Sequence, residues 1–180
     1  KLDVVEYYQA VGDRMIEHAR NRPASLVRCP DGVSKSCFFQ RHAGQGFPKA
    51  VKSIDIEEKD HDISPYLYIT SPAGLIGAAQ MGTIEFHIWG CRKDAIEKPD
   101  RMVFDLDPDE AVSFADVKKA AFDIRDLLAG LGLGSVPMVT GGKGIHVIVP
   151  LRRTVSWNTV KTFSQAVATL LAERQPERFT

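Results

Sequence analysis

Residues 102–107 read Met-Val-Phe-Asp-Leu-Asp, and this run constrains the fold more than any other. Val103, Phe104 and Leu106 mark it as a buried strand, in which side chains alternate between two faces. Asp105 and Asp107 therefore share a face, about 7 Å apart. Two ionised carboxylates that close repel each other, and burial raises the cost. A hard divalent cation such as Mg²⁺ resolves the conflict, because it prefers carboxylate oxygen. The expectation is a sheet strand that carries a metal site. A turn in which Asp107 and Asp109 accept from backbone amides around Pro108 would account for the second acid but not for Asp105.

The second half of the chain supplies a sheet around that strand. Residues 113–130 have helical spacing, with Ser113 as the cap and Gly130 or Gly132 as the stop. A strand is expected at 136–140, a tight turn at Gly141-Gly142-Lys143-Gly144, a strand at 145–149 and a helix at 156–174. A sheet of this kind usually takes one more strand, so the chain reads as incomplete at its C-terminal end. In the first half, residues 3–20 read as an amphipathic helix with Asp3 as N-cap and Glu6 closing a capping box. Strands near 25–29 and 36–40 flank a Pro30-Asp31-Gly32 turn. Residues 43–53 read as a loop, 66–70 as a strand, 72–81 as a helix capped by Ser71, and 84–89 as a half-buried strand. The pattern is α/β, of the α+β kind: a lobe over 1–98 and a lobe over 99–180, together forming one structural domain.

Two further constellations bear on chemistry. Thr140-Gly-Gly-Lys-Gly-Ile-His146 places a glycine turn between two strands, where backbone amides can cradle an anion. Lys143 adds positive charge at its tip and Thr140 a hydroxyl. It is not a P-loop, which needs Gly-Lys followed by Ser or Thr and a helix. The bland reading is a glycine hairpin with an exposed lysine. Glu85 and His87 share a face of the 84–89 strand, although a lone histidine on a strand is more often structural. Gly130-Leu-Gly-Leu-Gly134 follows a helix and lacks dinucleotide-binding spacing.

Composition is that of an ordinary globular protein: 44% apolar, 26% charged, formal net charge zero over 180 residues. No run is long enough for a membrane span, and no signal peptide is visible. The chain opens on Lys1 rather than Met, so a removed upstream segment is expected. The charge is uneven. From Arg20 to Ser53 stand Arg20, Arg22, Arg28, Lys35, Arg41, Lys49 and Lys52 against one acid, Asp31, with Phe38 and Phe39 among them. Basic residues with interleaved rings suit single-stranded nucleic acid, and equally a solvated basic face. Cys29, Cys37 and Cys91 are odd in number and lack C-x-x-C spacing. They are expected to be reduced packing residues in a cytoplasmic protein.

Taken together, metal-binding acids, a basic phosphate loop and a base-stacking stretch suggest nucleotidyl transfer. The chain resembles the polymerase domain of bacterial ATP-dependent DNA ligase D, in the archaeo-eukaryotic primase superfamily. The resemblance rests on Arg101-Met-Val-Phe-Asp-Leu-Asp-Pro108, Arg125-Asp-Leu-Leu-Ala129, Thr140-Gly-Gly-Lys-Gly-Ile-His146, Arg22-Pro-Ala-Ser-Leu-Val-Arg-Cys-Pro-Asp-Gly32, Phe38-Phe39-Gln-Arg-His42 and Glu85-Phe-His87. It is collinear over essentially the whole chain.

The resemblance implies a primase-like core whose palm sheet is RRM-like and flanked by helices. It also implies a template-directed polymerase that fills ends during non-homologous end joining, near the nucleoid, with Mn²⁺ or Mg²⁺. Asp105 and Asp107 would be the catalytic metal ligands. His87, Thr140 and Lys143 would contact the nucleoside triphosphate, with Phe38 and Phe39 beside the bases. Lys1 would help to hold a 5′-phosphate, Arg28 lies in the adjoining strand, and Lys35, Arg41, Lys49 and Lys52 would line DNA. A ligase domain and the Ku end-binding protein are the implied partners. This chain departs from the family at Thr140, where Ser is usual, and at Val27, where some members carry a phosphate-reading Lys. The family's third catalytic Asp falls on a strand beyond Thr180, so the two-metal site is expected to be incomplete here. The rival readings are a nucleotide- or DNA-end-binding module without turnover and a haloacid-dehalogenase-like phosphatase. The phosphatase wants Thr two residues after the second acid, where Asp109 stands.

Overall fold

The computed structural model describes residues 1–58 and 60–179. Among them the chain forms four helices and eight strands, with every strand pair antiparallel. They group into two compact units, Lys1–Asp94 and Ala95–Thr180.

The first unit holds α1 (Leu2–Ala19), β1 (Ala24–Arg28), β2 (Phe38–Gln40), β3 (Val51–Glu57), β4 (Ile63–Ile69), α2 (Pro72–Gln80) and β5 (Thr83–Ile88). β2, β1 and β5 make one sheet in that order, and β3 pairs with β4. Helix α1 turns Tyr8 and Ile16 inward into a core with Leu26, Leu67 and Leu75. Full burial of each such leucine contributes about 1.5–3 kcal/mol. The helix begins one residue before the expected cap. Lys1 occupies the N-cap position with no side-chain hydrogen bond, and Asp3 lies inside the first turn, where it complements the helix dipole. Ser71 does stand at the N-cap of α2, but its side chain makes no capping bond, and Pro72 starts the helix.

The expected loop over 43–53 runs into β3, a strand the sequence reading missed. β3 pairs with β4 from Val51↔Ile69 to Glu57↔Ile63. Only Val51 and Ile56 are fully buried, so an apolar alternation barely registers.

A second correction concerns the cysteines. Cys29 and Cys37 are joined by a disulfide. The last ladder pair between β1 and β2 is Arg28↔Phe38. The next residues out, Cys29 and Cys37, therefore face each other, with Cα atoms 4.4 Å apart. Pairing register, which a cysteine count cannot supply, brings them together. Cys91 takes no part and is buried.

The second unit runs β6 (Arg101–Leu106), α3 (Phe114–Gly130), β7 (Val136–Val139), β8 (Ile145–Pro150) and α4 (Trp157–Arg174). The sheet order is β6-β8-β7. These are five of the six elements of a split βαβ unit, β-α-β-β-α, with β6 at an edge. Helices α3 and α4 cover one face. Val117, Ile124, Leu128, Val167 and Leu171 pack there on Met102, Phe104, Val147 and Val149. Ser113 caps α3 by accepting from the Asp116 amide. The helix closes as Gly132 N–H donates to Ala129 and Leu133 N–H to Leu128, a Schellman pattern.

Candidate functional site

Helices cover only one face of the β6-β8-β7 sheet, and that asymmetry makes the site. Along β6, Met102 and Phe104 enter the core, while Val103, Asp105 and Asp107 are exposed. The expectation of a buried strand is corrected here. Val103 belongs to the open face, so the run Val-Phe-x-Leu is apolar without being fully enclosed. The Asp105 side chain retains 63% of its exposure. The acids thus carry no full burial penalty. What remains of the argument for a cation is that two carboxylates converge on one open face.

Register gives this face its rows. Val103 pairs with Ile148, which pairs with Val136; Asp105 pairs with His146, which pairs with Met138. His146 Nε2 lies 3.2 Å from Asp105 Oδ1. One step beyond the last β6–β8 pair, Leu106↔Ile145, stand Asp107 and Gly144. The glycine turn therefore abuts the end of the acidic strand. Gly144 is packed so closely that an added Cβ would lie 2.9 Å from the Leu106 carbonyl oxygen. Thr140 Oγ1 donates to Gly144 O at 3.2 Å and accepts from Gly142 N–H at 3.4 Å. That hydroxyl folds the turn, and Lys143 stands exposed at its tip. A groove of about 640 Å³ is lined by Asp105, Asp107, Asp109, Asp116, Lys119 and Arg178, among others. Asp109 also folds its own turn, accepting from Ala111 N–H at 3.2 Å.

Among the described residues no group of three or more His, Cys, Asp or Glu side chains could hold a metal ion. Asp105 and Asp107 nevertheless fit one ion of the Mg²⁺ or Mn²⁺ type. Such an ion is commonly held by one or two carboxylates, with water and substrate phosphate completing the shell.

The first unit carries the other expected residues. Consecutive strand residues face opposite ways, so Phe38 and Phe39 are separated by the β2-β1-β5 sheet. Phe39 meets His87 edge to face at 5.2 Å, and His87 Nε2 lies 2.8 Å from Glu85 Oε2. Phe38 lies on the Arg28 side. Arg28 sits 5.4 Å from the ring centres of Phe38 and Phe47. It donates to Met81 O at 2.8 Å and to the Gln40 side chain. Burial lowers its pKa from the ordinary value. Lys35, Arg41, Lys49 and Lys52 are all exposed, Lys52 on β3.

Lys1 lines a separate cavity of about 250 Å³ with Asp3, Cys29, Val33 and Thr83. Thr83 is fully buried, and its hydroxyl has no hydrogen-bond partner among the described residues. Sequence reasoning missed Thr83 and Phe47. Neither stands in a motif, and only the packing of β5 and of the 43–50 segment reveals them.

The family model described as LigD, primase-polymerase domain, matches residues 1–180. The chain belongs to this family. It is 41% identical to the multifunctional non-homologous end joining protein LigD of Pseudomonas aeruginosa, over all of this chain and 21% of that protein. The Mycolicibacterium smegmatis LigD is 31% identical, again over the whole chain and 24% of the relative. Among solved structures, the polymerase domain of Mycobacterium tuberculosis ligase D in complex with DNA matches with a TM-score of 0.88 at 31% identity. That match covers 97% of this chain and 63% of the solved one. The chain thus spans about a fifth to a quarter of these curated relatives.

Proposed function

We propose that this chain is the nucleotide-adding part of a LigD-type end-joining protein: a template-directed nucleotidyltransferase that extends DNA ends before ligation. The observation that carries this reading is the open row of Asp105 and Asp107 abutting the Thr140–Gly144 turn, in a chain of the LigD primase-polymerase family. Asp105 and Asp107 hold a divalent cation, Mn²⁺ or Mg²⁺. When bound, it neutralises triphosphate charge and lowers the pKa of the attacking 3′-hydroxyl. His146 steadies the Asp105 carboxylate from the neighbouring strand. Lys143 and the amides of the glycine turn receive phosphate oxygens. In the first unit, His87, its Nε2 2.8 Å from Glu85 Oε2, is assigned by this reading to nucleotide binding. Phe39 and Phe38 offer stacking faces, and base–aromatic stacking is worth about 1–3 kcal/mol per base.

The Lys1 ammonium suits a terminal 5′-phosphate. Lys35, Arg41, Lys49 and Lys52, with Arg28, follow the DNA backbone, so binding weakens steeply with salt. A ligase domain and a Ku-type end-binding protein are the partners of this role, in the cytoplasm beside the chromosome. Among the described residues no helix is long and apolar enough to cross a membrane.

A second reading has an observation of its own. Among the described residues, Asp105 and Asp107 belong to no group of three or more His, Cys, Asp or Glu side chains that could hold a metal ion, as suits a module that binds nucleotide and DNA ends without turnover. One assay separates the two. The chain is incubated with a primed, 5′-phosphorylated gapped duplex, Mn²⁺ and labelled nucleotides. Extension that disappears in Asp107→Ala supports the polymerase. Binding of the duplex without extension, in wild type as in the variant, supports the module.

A further inference from the structure

We propose that Cys29 and Cys37 form a reversible thiol–disulfide site whose state sets how the Lys35 loop and the Phe38–Gln40 strand are presented. The bridge joins the residue after β1 to the residue before β2. It therefore closes the 30–36 loop, every residue of which past Pro30 is exposed. Strand β2 is short and lies at a sheet edge. Its ladder to β1 comprises three pairs, Leu26↔Gln40, Val27↔Phe39 and Arg28↔Phe38. The far end is anchored separately, by Ala43 N–H donating to Pro65 O and Leu67 N–H to Arg41 O. The near end is held by the bridge, with the Arg28 guanidinium 5.4 Å from the Phe38 ring, while the Arg28 side chain also donates to Gln40 at the far end. Opening the bridge leaves Phe38 and Phe39 on a three-pair ladder and Lys35 on a turn in which its amide donates to Gly32 O, and so short a hairpin is marginal by itself.

The two sulfurs differ in access, which is what exchange requires. Cys37 is exposed, whereas Cys29 is 4% exposed and Cys91 is fully buried. A glutathione thiolate reaches the Cys37 sulfur and forms a mixed disulfide there. The Cys29 sulfur leaves with the bonding pair and takes up a proton. A second glutathione thiolate displaces the Cys37 thiol, which is protonated, and oxidised glutathione departs. Two glutathione thiols are oxidised and one protein disulfide is reduced; oxidised glutathione runs the exchange backwards. The consequence for DNA rests on the polymerase reading above, but the exchange and the ordering of β2 do not.

The test equilibrates the whole chain with glutathione mixtures from fully reduced to fully oxidised, then traps thiols by alkylation and counts them by intact mass. A two-thiol step inside that range is expected, with Cys91 modified only after denaturation. Amide hydrogen exchange across 30–42 should then quicken by about tenfold or more in the reduced form, as for release of a short cross-linked loop. Cys37→Ser, at an exposed position, should show the quicker exchange whatever the mixture. Affinity for a labelled, 5′-phosphorylated gapped duplex should fall about fivefold or more in the reduced form, the scale of one lost stacking contact. A pair that stays bridged, or stays open, across every mixture overturns the proposal. So does exchange that is the same in both forms. If the thiol step and the exchange change occur but neither form binds the duplex, the polymerase reading fails and the redox site stands.

Discussion

Gly144→Ala should damage the second unit and the acidic row together. The new Cβ would lie 2.9 Å from the Leu106 carbonyl oxygen and 3.8 Å from its carbon. Both are backbone atoms and cannot swing aside, so β6 and β8 must part by some tenths of an ångström. Overpacking of this kind costs about 1–3 kcal/mol. In a chain of 180 residues each kcal/mol lowers Tm by about 2–4 °C. Because Gly144 stands beside Asp107, the same shift moves that carboxylate. Nucleotide addition should therefore fall by more than the lost stability explains. Gly142→Ala is the control. A Cβ there meets only the Thr140 hydroxyl at 3.9 Å, an ordinary contact, so its cost should stay within about 0.5 kcal/mol. Urea unfolding of the two variants beside wild type measures the difference. A Gly144→Ala midpoint equal to wild type, or a Gly142→Ala loss as large as that of Gly144→Ala, would refute the close approach of the turn to β6.

Three further outcomes follow from packing and protonation. Tyr8 donates to the Ile84 carbonyl at 2.8 Å, and its pKa is pushed up to about 12 by burial, then by Tyr7 and Glu85. Its unfolded value is near 10, so above that pH the unfolded chain releases the proton first and stability falls, by about 1.4 kcal/mol at pH 11; Tyr8→Phe should flatten this slope in urea melts taken from pH 9 to 11. Leu128 is fully buried in the second core, so Leu128→Ala should cost about 2–5 kcal/mol by chemical denaturation. Ser113→Ala removes the acceptor for the Asp116 amide and should cost about 1 kcal/mol in the same assay.

Local signals were legible where one residue sets the local structure. Ser113 at the start of α3, the glycine turn at 141–144 and the alternation of β6 could be read because capping, tight turning and strand pleating act over a few residues. Features that depend on pairing partners were not legible. β3 carries Lys52, Ser53, Asp55 and Glu57 between its apolar residues, and its seven-residue ladder with β4 makes it a strand. The Cys29–Cys37 bridge is a consequence of register between β1 and β2. The acids of β6 illustrate the same limit from the other side. Their shared face could be read from the period of two, but which face is buried depends on where α3 and α4 pack. The divergence of Phe38 and Phe39 to opposite faces follows from that same period, once residues 38–40 are known to be a strand.

The central claim is that Asp105 and Asp107 hold a divalent cation beside the glycine turn. The most direct measurement is Mn²⁺ uptake by electron paramagnetic resonance, with a non-hydrolysable nucleoside triphosphate present and the nucleotide-only titration subtracted. Wild-type protein should remove free Mn²⁺ in a saturable way, and the Asp105→Asn/Asp107→Asn double variant should leave the signal at the nucleotide-only level. Equal Mn²⁺ uptake by the two proteins would contradict the account.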